Sequence, residues 1–346
     1  MTYISIILTA YNDEKTVRQC LESIIAQENA DMQLECIVVD DCSSDDTLSV
    51  IRHTVGSYTG NISFHIFRHQ SHHGVSRSRN TGLQRSNGYY VLFVNASDML
   101  LPGCIDAYMV NLMRHWDADI IVGNVNINQR QRLFDGLSSA KVIGGKGDVM
   151  LHEMLRGHLY LFAYNKLIRK ELLTNNHIVF DETLPYADLL FSFAAFSSVS
   201  NVVLLPDVTY NYQSRLVNVM GQSEKWINGL MSSYTATCDY LLDKAPRPES
   251  SDGGYYQAHQ LFIYGLLSHA NLLQKEYSFN SQVKRELAHV RSRLVSQTKN
   301  DGQKLLYLYF KQDGSIFSGL LKNPVFKNYD QHVADVRNVM DVLTGH

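Results

Sequence analysis

The sequence predicts an α/β protein built on a mostly parallel sheet flanked by helices, with a helical C-terminal extension. Three observations carry that expectation. Over residues 1–127, β-branched and other apolar runs alternate with segments of helical spacing, the pattern of parallel strands joined by right-handed crossovers. Beyond Ser223 the pattern changes to long helical stretches with few breakers. The chain has 346 residues, 45% of them hydrophobic, enough for two domains or for one domain with a long extension.

The elements follow in order. Met1 to Ala10 is apolar but short, has no basic lead, and runs into Asn12-Asp13-Glu14-Lys15. It reads as a first strand, centred on Ile4–Leu8, rather than a signal peptide. Further strands are expected at Leu34–Val39, Ile62–Phe67, Tyr89–Val94 and Asp119–Val125. Between them, Thr16–Gln27 sets Val17, Cys20, Leu21, Ile24 and Ile25 on one helical face, and Asp45–His53, Val75–Ser86 and Gly103–Trp116 follow as helices. Residues 128–147 are polar and Gly-rich and read as an excursion. Val202–Leu205 and Val208–Tyr212 flank Pro206 as strands. Trp226–Leu242, Tyr255–Leu273 and Ser281–Val295 then read as helices, the first two separated by the linker DKAPRPESSDGG, Asp243–Gly254.

Charge and cysteine usage narrow the class. Lys and Arg number 31 against 34 Asp and Glu, a formal charge of -3, so no basic bias points to a nucleic-acid partner. There is no apolar run of about 18 residues, so no transmembrane helix is expected. The five cysteines show no CxxC spacing and mostly sit in apolar segments, which fits reduced thiols in a cytoplasmic protein.

Four segments could carry chemistry. VVDDCSSDDT ends the second strand with Asp40 and Asp41, and Ser43 to Asp46 can cap the helix that follows. Two carboxylates exceed what a cap needs, so Asp41 is also read as an acceptor for a base N–H in the cleft. GVSRSRNTGL puts Arg77 and Arg79 two apart on a helix, pointing in different directions. VLFVNASDML breaks from an apolar strand into Asn95-Ala96-Ser97-Asp98 at the end where open α/β sheets bind ligands. FDETLPYADLLFSF sets Asp188 at the start of a helix, as a cap or as a general base on a cleft wall. The first strand–helix turn, TAYNDEK, has no Gly-x-Gly, which disfavours a dinucleotide fold. HEMLRGH and GGKGD match neither a metalloprotease helix nor a phosphate loop.

Taken in order, ISIILTAYNDEKTVRQCLESIIAQ, ECIVVDDCSSDDT, GVSRSRNTGL and GYYVLFVNASDMLLPGCID resemble the successive blocks of the family-two inverting glycosyltransferases, which have the GT-A fold. FAYNKLIRKELL resembles that family's Trp-Asn-Lys-Leu block and FDETLPYADLLF its Glu-Asp acceptor-side block. YNYQSRLVNVM is similar to the closing block of bacterial surface-polysaccharide members. Several blocks in order are far more specific than any one of them.

The resemblance implies the following roles. Thr9, Ala10 and Tyr11 line the nucleotide pocket, and Asp41 binds the base edge of uracil, thymine or guanine. Arg79, with Asn80, organises the pocket, and Asn95 and Ala96 contribute to it. Asn95 and Ser97 stand where the family has acids of its Asp-x-Asp metal motif, leaving Asp98 and Ser97 as weak ligands for Mn²⁺ or Mg²⁺. Asp188 is the general base that takes the acceptor proton, and Ala187 replaces the Glu before it. The implied donor is a nucleoside-diphosphate sugar such as a UDP-sugar. The acceptor is a glycan or lipid-linked acceptor in surface polysaccharide synthesis. A glycosyltransferase domain is expected over 1–222, with a nucleotide-binding half at 1–127 and an acceptor-side half at 128–222, followed by a helical region at 223–346. That region could serve peripheral membrane contact at the inner face or a homodimer. The alternative reading is a non-catalytic relative that binds sugar nucleotides or acts as a scaffold.

Overall fold

A computed structural model describes residues 3–28, 32–127, 131–132, 137–145, 149–150, 159–213, 223–244 and 277–297, with isolated positions at 153, 263, 266, 267, 270 and 274. The chain forms two compact units. The first takes in Met1–Gly145, Phe162–Thr183 and Ser198–Arg215, and the second Lys146–Leu161, Leu184–Ser197 and Leu216–His346.

The first unit is organised by a ten-stranded sheet. Its strands are β1 (Ile4–Ala10), β2 (Leu34–Asp40), β3 (Ser63–Arg68), β4 (Tyr90–Asn95), β5 (Met99–Leu100), β6 (Ile120–Ile127), β7 (Gln131–Arg132), β8 (Lys141–Gly144), β9 (Lys166–Arg169) and β10 (Asn201–Tyr212). The order is β3-β2-β1-β4-β9-β6-β10-β5, with β7 beside β6 and β8 beside β10. β1 and β2 are buried along their whole length, and both are apolar throughout their centres because helices cover both faces of a parallel sheet. The edge strand β3 is exposed or half-buried, and it carries Ser63, His65 and Arg68 accordingly.

The five strands expected over residues 1–127 are all present, within one or two residues of their expected bounds. Four short strands were not expected. β9 is the most consequential, because it enters antiparallel between β4 and β6. Its sequence, KLIR, begins with a charged residue that would be unwelcome in a buried strand. Lys166 is nevertheless 1% exposed, and its ammonium donates to the Phe162 carbonyl. The two strands expected around Pro206 are one strand, β10. Its pairing with β6 shifts register between Leu204 and Val208 and again between Val208 and Tyr210. That irregularity accommodates a residue that cannot donate to the ladder.

Helices α1 (Val17–Ile25), α2 (Thr47–Gly56), α3 (Val75–Arg85) and α4 (Cys104–Arg114) connect the parallel strands, and α5 (Lys170–Asn175) follows β9. In α1 the expected face is buried at Val17, Cys20, Leu21 and Ile24, while Ile25 stays half-buried at its margin. The α3 backbone lies so close to β1 that a Cβ on Gly82 would fall 2.3 Å from Ile7 Cγ2.

The second unit contains α6 (Asp188–Ser198), α7 (Ser223–Lys244) and α8 (Ser281–Gln297). Ile227, Leu230, Met231, Tyr234, Cys238, Leu241 and Leu242 of α7 are buried, as are Val283, Leu287, Val290 and Leu294 of α8. Both sets recur at three- and four-residue steps, the signature of two helices packing face to face. At the rim of that seam, Arg293 donates to Asp239 at 2.6 Å and to Asp243 at 2.5 Å. Glu286 accepts from Ser232 and Thr235. Of the expected helix Tyr255–Leu273, residues 263, 266, 267 and 270 are described and helical, and Ile263, Leu267 and Ala270 are buried. Its other residues and most of the linker before it lie outside the described residues. All five cysteines are free thiols. Among the described residues no helix is long and apolar enough to cross a membrane.

Gly82→Ala should overpack the α3–β1 contact, since Ile7 is fully buried and cannot swing aside. A loss of about 1–3 kcal/mol in stability is expected from urea unfolding with an unchanged m-value.

Candidate functional site

The parallel register of β1, β2 and β4 sets the site. Thr9 lies opposite both Val39 and Asn95, and Ala10 opposite Asp40. The ladders continue one residue past the strands, with Asp41 N–H donating to Ala10 O at 2.9 Å and Ala96 N–H to Thr9 O at 3.1 Å. Thr9, Ala10, Tyr11, Asp41, Asn95 and Ala96 therefore leave the sheet together, at the carboxyl ends where open α/β sheets bind ligands.

The first two loops are stitched to each other. Asn12, which has a φ of 53°, donates its N–H to Ser43 Oγ at 3.1 Å and accepts from Ser44 N–H at 2.9 Å. Asp13 N–H donates to Thr47 Oγ1, and Tyr11 N–H to the Asp13 carboxylate. The helix-capping work expected of Ser43 to Asp46 falls to Asp45, whose Oδ1 accepts from both Thr47 N–H and Thr47 Oγ1. Asp46, at the cap position itself, makes no such bond with its side chain. Thr9, Ala10 and Ala96 are buried, whereas Tyr11 is 38% exposed.

Asp41 is buried and heavily bonded. Its Oδ1 lies 2.6 Å from His69 Nδ1 and accepts from His73 N–H at 3.1 Å. Its Oδ2 accepts from Gly74 N–H at 2.6 Å and His73 N–H at 3.1 Å, and lies 2.8 Å from His72 Nδ1. Burial alone would raise this carboxyl. The His69 side chain, the His73 and Gly74 amides and the nearby His72 outweigh it and hold Asp41 below the ordinary range. Its neighbour Asp40, also buried, accepts from Ser43 N–H and pairs with Arg68 at 3.3 Å. His69 was not singled out from sequence. Its place follows from register: β2 and β3 end with Asp40 paired to Arg68, so the first residues beyond the two strands, Asp41 and His69, leave the sheet side by side.

Arg77 and Arg79 diverge, as their spacing requires. Arg77 is half exposed and pairs with Glu182 at 3.4 Å. Arg79 is 4% exposed, lies over the Phe180 ring at 5.1 Å and donates to Asn95 Oδ1 at 3.1 Å. Asn80 clamps the same segment, exchanging bonds with the Phe180 backbone and reaching Glu182.

The Asn95–Asp98 turn is a closed hydrogen-bond node. Asp98 is fully buried. Its Oδ2 accepts from Tyr210 OH at 2.7 Å and Asn95 Nδ2 at 2.9 Å. Its Oδ1 accepts from Gln213 N–H at 3.1 Å and Ser97 Oγ at 3.2 Å. Burial raises the Asp98 carboxyl above its usual range despite these four donors. A divalent ion prefers charged, accessible oxygens. Here the one carboxylate is sealed and saturated, the Asn95 amide is engaged at both ends, and the Ser97 hydroxyl points to Asp98. The turn does not fit Mn²⁺ or Mg²⁺. Among the described residues no three His, Cys, Asp or Glu side chains cluster to hold an ion. Tyr210, the key donor to Asp98, was read in sequence as part of a strand and as the first residue of the closing block YNYQSRLVNVM, with no role at the Asn95–Asp98 turn.

Asp188 begins α6 in the second unit and is half-buried, following the buried Ala187. Phe191 N–H donates to Ala187 O, closing the first turn. A carboxylate there is favoured by the helix dipole.

A parallel β1–β4 core with its loops gathered at the carboxyl ends defines an α/β domain of the GT-A type. The chain belongs to glycosyl transferase family 2, whose model matches residues 5–177. It is 26% identical over 217 residues to the poly(ribitol-phosphate) beta-N-acetylglucosaminyltransferase TarS of Staphylococcus aureus, covering 62% of this chain and 36% of TarS. Against TarP of the same organism, a second poly(ribitol-phosphate) beta-N-acetylglucosaminyltransferase, it is 26% identical over 61% of this chain and 62% of TarP. The match thus spans about a third of TarS and under two thirds of TarP. In fold, the chain superposes on the solved structure of S. aureus TarS 1-349 in complex with UDP-GlcNAc. That superposition has a TM-score of 0.69 at 17% identity and covers 97% of this chain and 92% of that one.

Asp98→Asn should destabilise the first unit by about 1–3 kcal/mol in denaturant unfolding. Either amide orientation turns an NH₂ toward another donor, the Asn95 Nδ2, whose own Oδ1 is held by Arg79, or the Gln213 N–H.

Proposed function

We propose that the chain is an inverting glycosyltransferase that moves a sugar from a nucleoside-diphosphate donor, of which UDP-sugars are the first to test, to a glycan or lipid-linked acceptor of a bacterial surface polysaccharide. The observation that carries the reading is the convergence of Tyr11, Asp41 and the Arg79–Asn95 pair at the carboxyl ends of adjacent parallel strands, in a member of a glycosyltransferase family. Support for the donor class comes from TarS, which has been solved with UDP and with UDP-GlcNAc.

In this reading the acceptor hydroxyl attacks the anomeric carbon as Asp188 takes its proton, and the bond from that carbon to the diphosphate oxygen breaks with inversion. Asp41 receives the base N–H and Tyr11 offers a face to the base. Thr9, Ala10 and Ala96 supply the buried floor of the pocket, and Arg79 holds Asn95 in place. No step is assigned to an ion, because the Asn95–Asp98 turn has no accessible carboxylate to hold one. Residues 1–127 are the proposed donor half and 128–222 the acceptor half of a domain ending near residue 222. Peripheral membrane contact and homodimerisation are assigned, as proposals, to the C-terminal region 223–346, of which residues 298–346 lie outside the described residues.

Two measurements test this. Asp188→Asn should lower transfer, followed as UDP release from a UDP-sugar with acceptor glycan, by about 10²–10⁴-fold, with an unchanged unfolding transition. Full activity in that variant would refute the assigned base. Calorimetric titration with UDP should give the same affinity in EDTA as in Mn²⁺. A marked gain with Mn²⁺ would mean that the turn rearranges to expose Asp98.

A further inference from the structure

His72 is the side chain of the 69–74 loop that no role yet absorbs, and its position is specific. Its ring stacks on Tyr11 with centroids 3.8 Å apart and planes 24° from parallel. Its Nδ1 lies 2.8 Å from Asp41 Oδ2. The neighbouring histidines are placed differently. His69 is tied at both ring nitrogens, to Asp41 and to Thr81 Oγ1 at 2.9 Å, and its side chain is only 12% exposed. His73 meets His69 edge-on at 5.5 Å and reaches Ser71. The His72 side chain is 51% exposed, gripped by Tyr11 on one face and by Asp41 at Nδ1, and of the three it alone stacks on Tyr11.

We infer that the His72 imidazole is a resident stand-in for the nucleobase, and that it must swing off Tyr11 and Asp41 before a donor nucleotide can seat. The inference rests on the reading of Tyr11 and Asp41 as the base pocket. A flat ring stacked on Tyr11 with an N–H aimed at Asp41 Oδ2 is what that reading asks of uracil. At a ring separation of 3.8 Å nothing can slip between the two. The exchange is chemically even, because one ring N–H replaces another on the same oxygen. Oδ2 keeps its bonds from Gly74 and His73 throughout, so the carboxylate is never left bare. Ring stacking and a charge-assisted hydrogen bond both favour the occupied state, so the free protein is mostly closed to nucleotide. Apparent affinity is then lowered by the fraction of molecules that are open.

The test is calorimetric titration of the full chain with UDP, comparing wild type with His72→Ala and His72→Phe. Removing the ring should tighten UDP binding by about tenfold, the factor for a closed state favoured about ten to one. His72→Phe keeps the stacking ring without its N–H and should fall between the two. Matching thermal unfolding of the three proteins would confirm that the loop is intact. If His72→Ala binds UDP equally or more weakly than wild type, His72 is a bystander or part of the platform, and the inference fails while the pocket reading stands. If neither wild type nor His72→Ala binds UDP, GDP or dTDP, the pocket reading fails and takes this inference with it.

Discussion

Everything at the candidate site depends on the level alignment of three parallel strands. Because Thr9 faces Val39 on one side and Asn95 on the other, the chain leaves β1, β2 and β4 at one height. Backbone bonds then carry the alignment past the strand ends, from Asp41 to Ala10, from Ala96 to Thr9, and from His69 to Asp40. Parallel ladders have evenly spaced bonds, so no bulge is needed to bring four loops to one edge. A slip of one residue in β2 would turn Asp41 to the other face of the sheet and dismantle the cluster of His69, His72 and His73.

The second constraint is electrostatic. Burying a carboxylate is costly unless it is bonded, and this domain buries several. Glu35 accepts from Ser5 Oγ at 2.5 Å, from Asn87 N–H at 2.6 Å and from the Asn87 side chain at 3.2 Å. Those bonds outweigh burial and hold it below the ordinary range. Asp41 behaves in the same way. Asp98 does not, because it is wholly enclosed and its donors are neutral, so burial prevails. The substitution of Asn95 and Ser97 for acids has a physical consequence here. Two carboxylates beside Asp98 would repel it, whereas an amide and a hydroxyl donate to it and close the turn.

A third node lies just before β9, where Asn165 ties β6, β10 and α4 together. Asn165 has a φ of 56°, accepts from Tyr108 OH at 2.8 Å and Thr209 Oγ1 at 2.7 Å, and donates to Asn124 O at 3.1 Å. Beside it, Tyr164 stacks on Phe162, Tyr210 and Tyr212 with centroids 4.9 to 5.4 Å apart. Tyr210 belongs both to this stack and to the Asp98 node. The asparagine–lysine block therefore supports the floor of the site as well as supplying strand β9.

Strands β1, β2, β4 and β6 were legible because burial on both faces imposes continuous apolar runs. The edge strand β3 was legible because half-buried Phe64 and Ile66 alternate with exposed Ser63 and His65, and the helices between the strands because one-sided burial imposes helical spacing. The divergence of Arg77 and Arg79 was legible from spacing alone. Strands β5, β7, β8 and β9 were not, since two to four residues carry no period and Lys166 reads as surface. The sequence by itself determined the elements, the parallel core and the family blocks, all of which are local patterns of residue type. Only the tertiary structure decided that Asp98 is sealed by Tyr210 and Gln213, more than a hundred residues away, that Arg79 holds Asn95, and that His72 lies on Tyr11. Those are choices of hydrogen-bond partner among residues distant in the chain, and they are settled by register and packing rather than by any pattern along it.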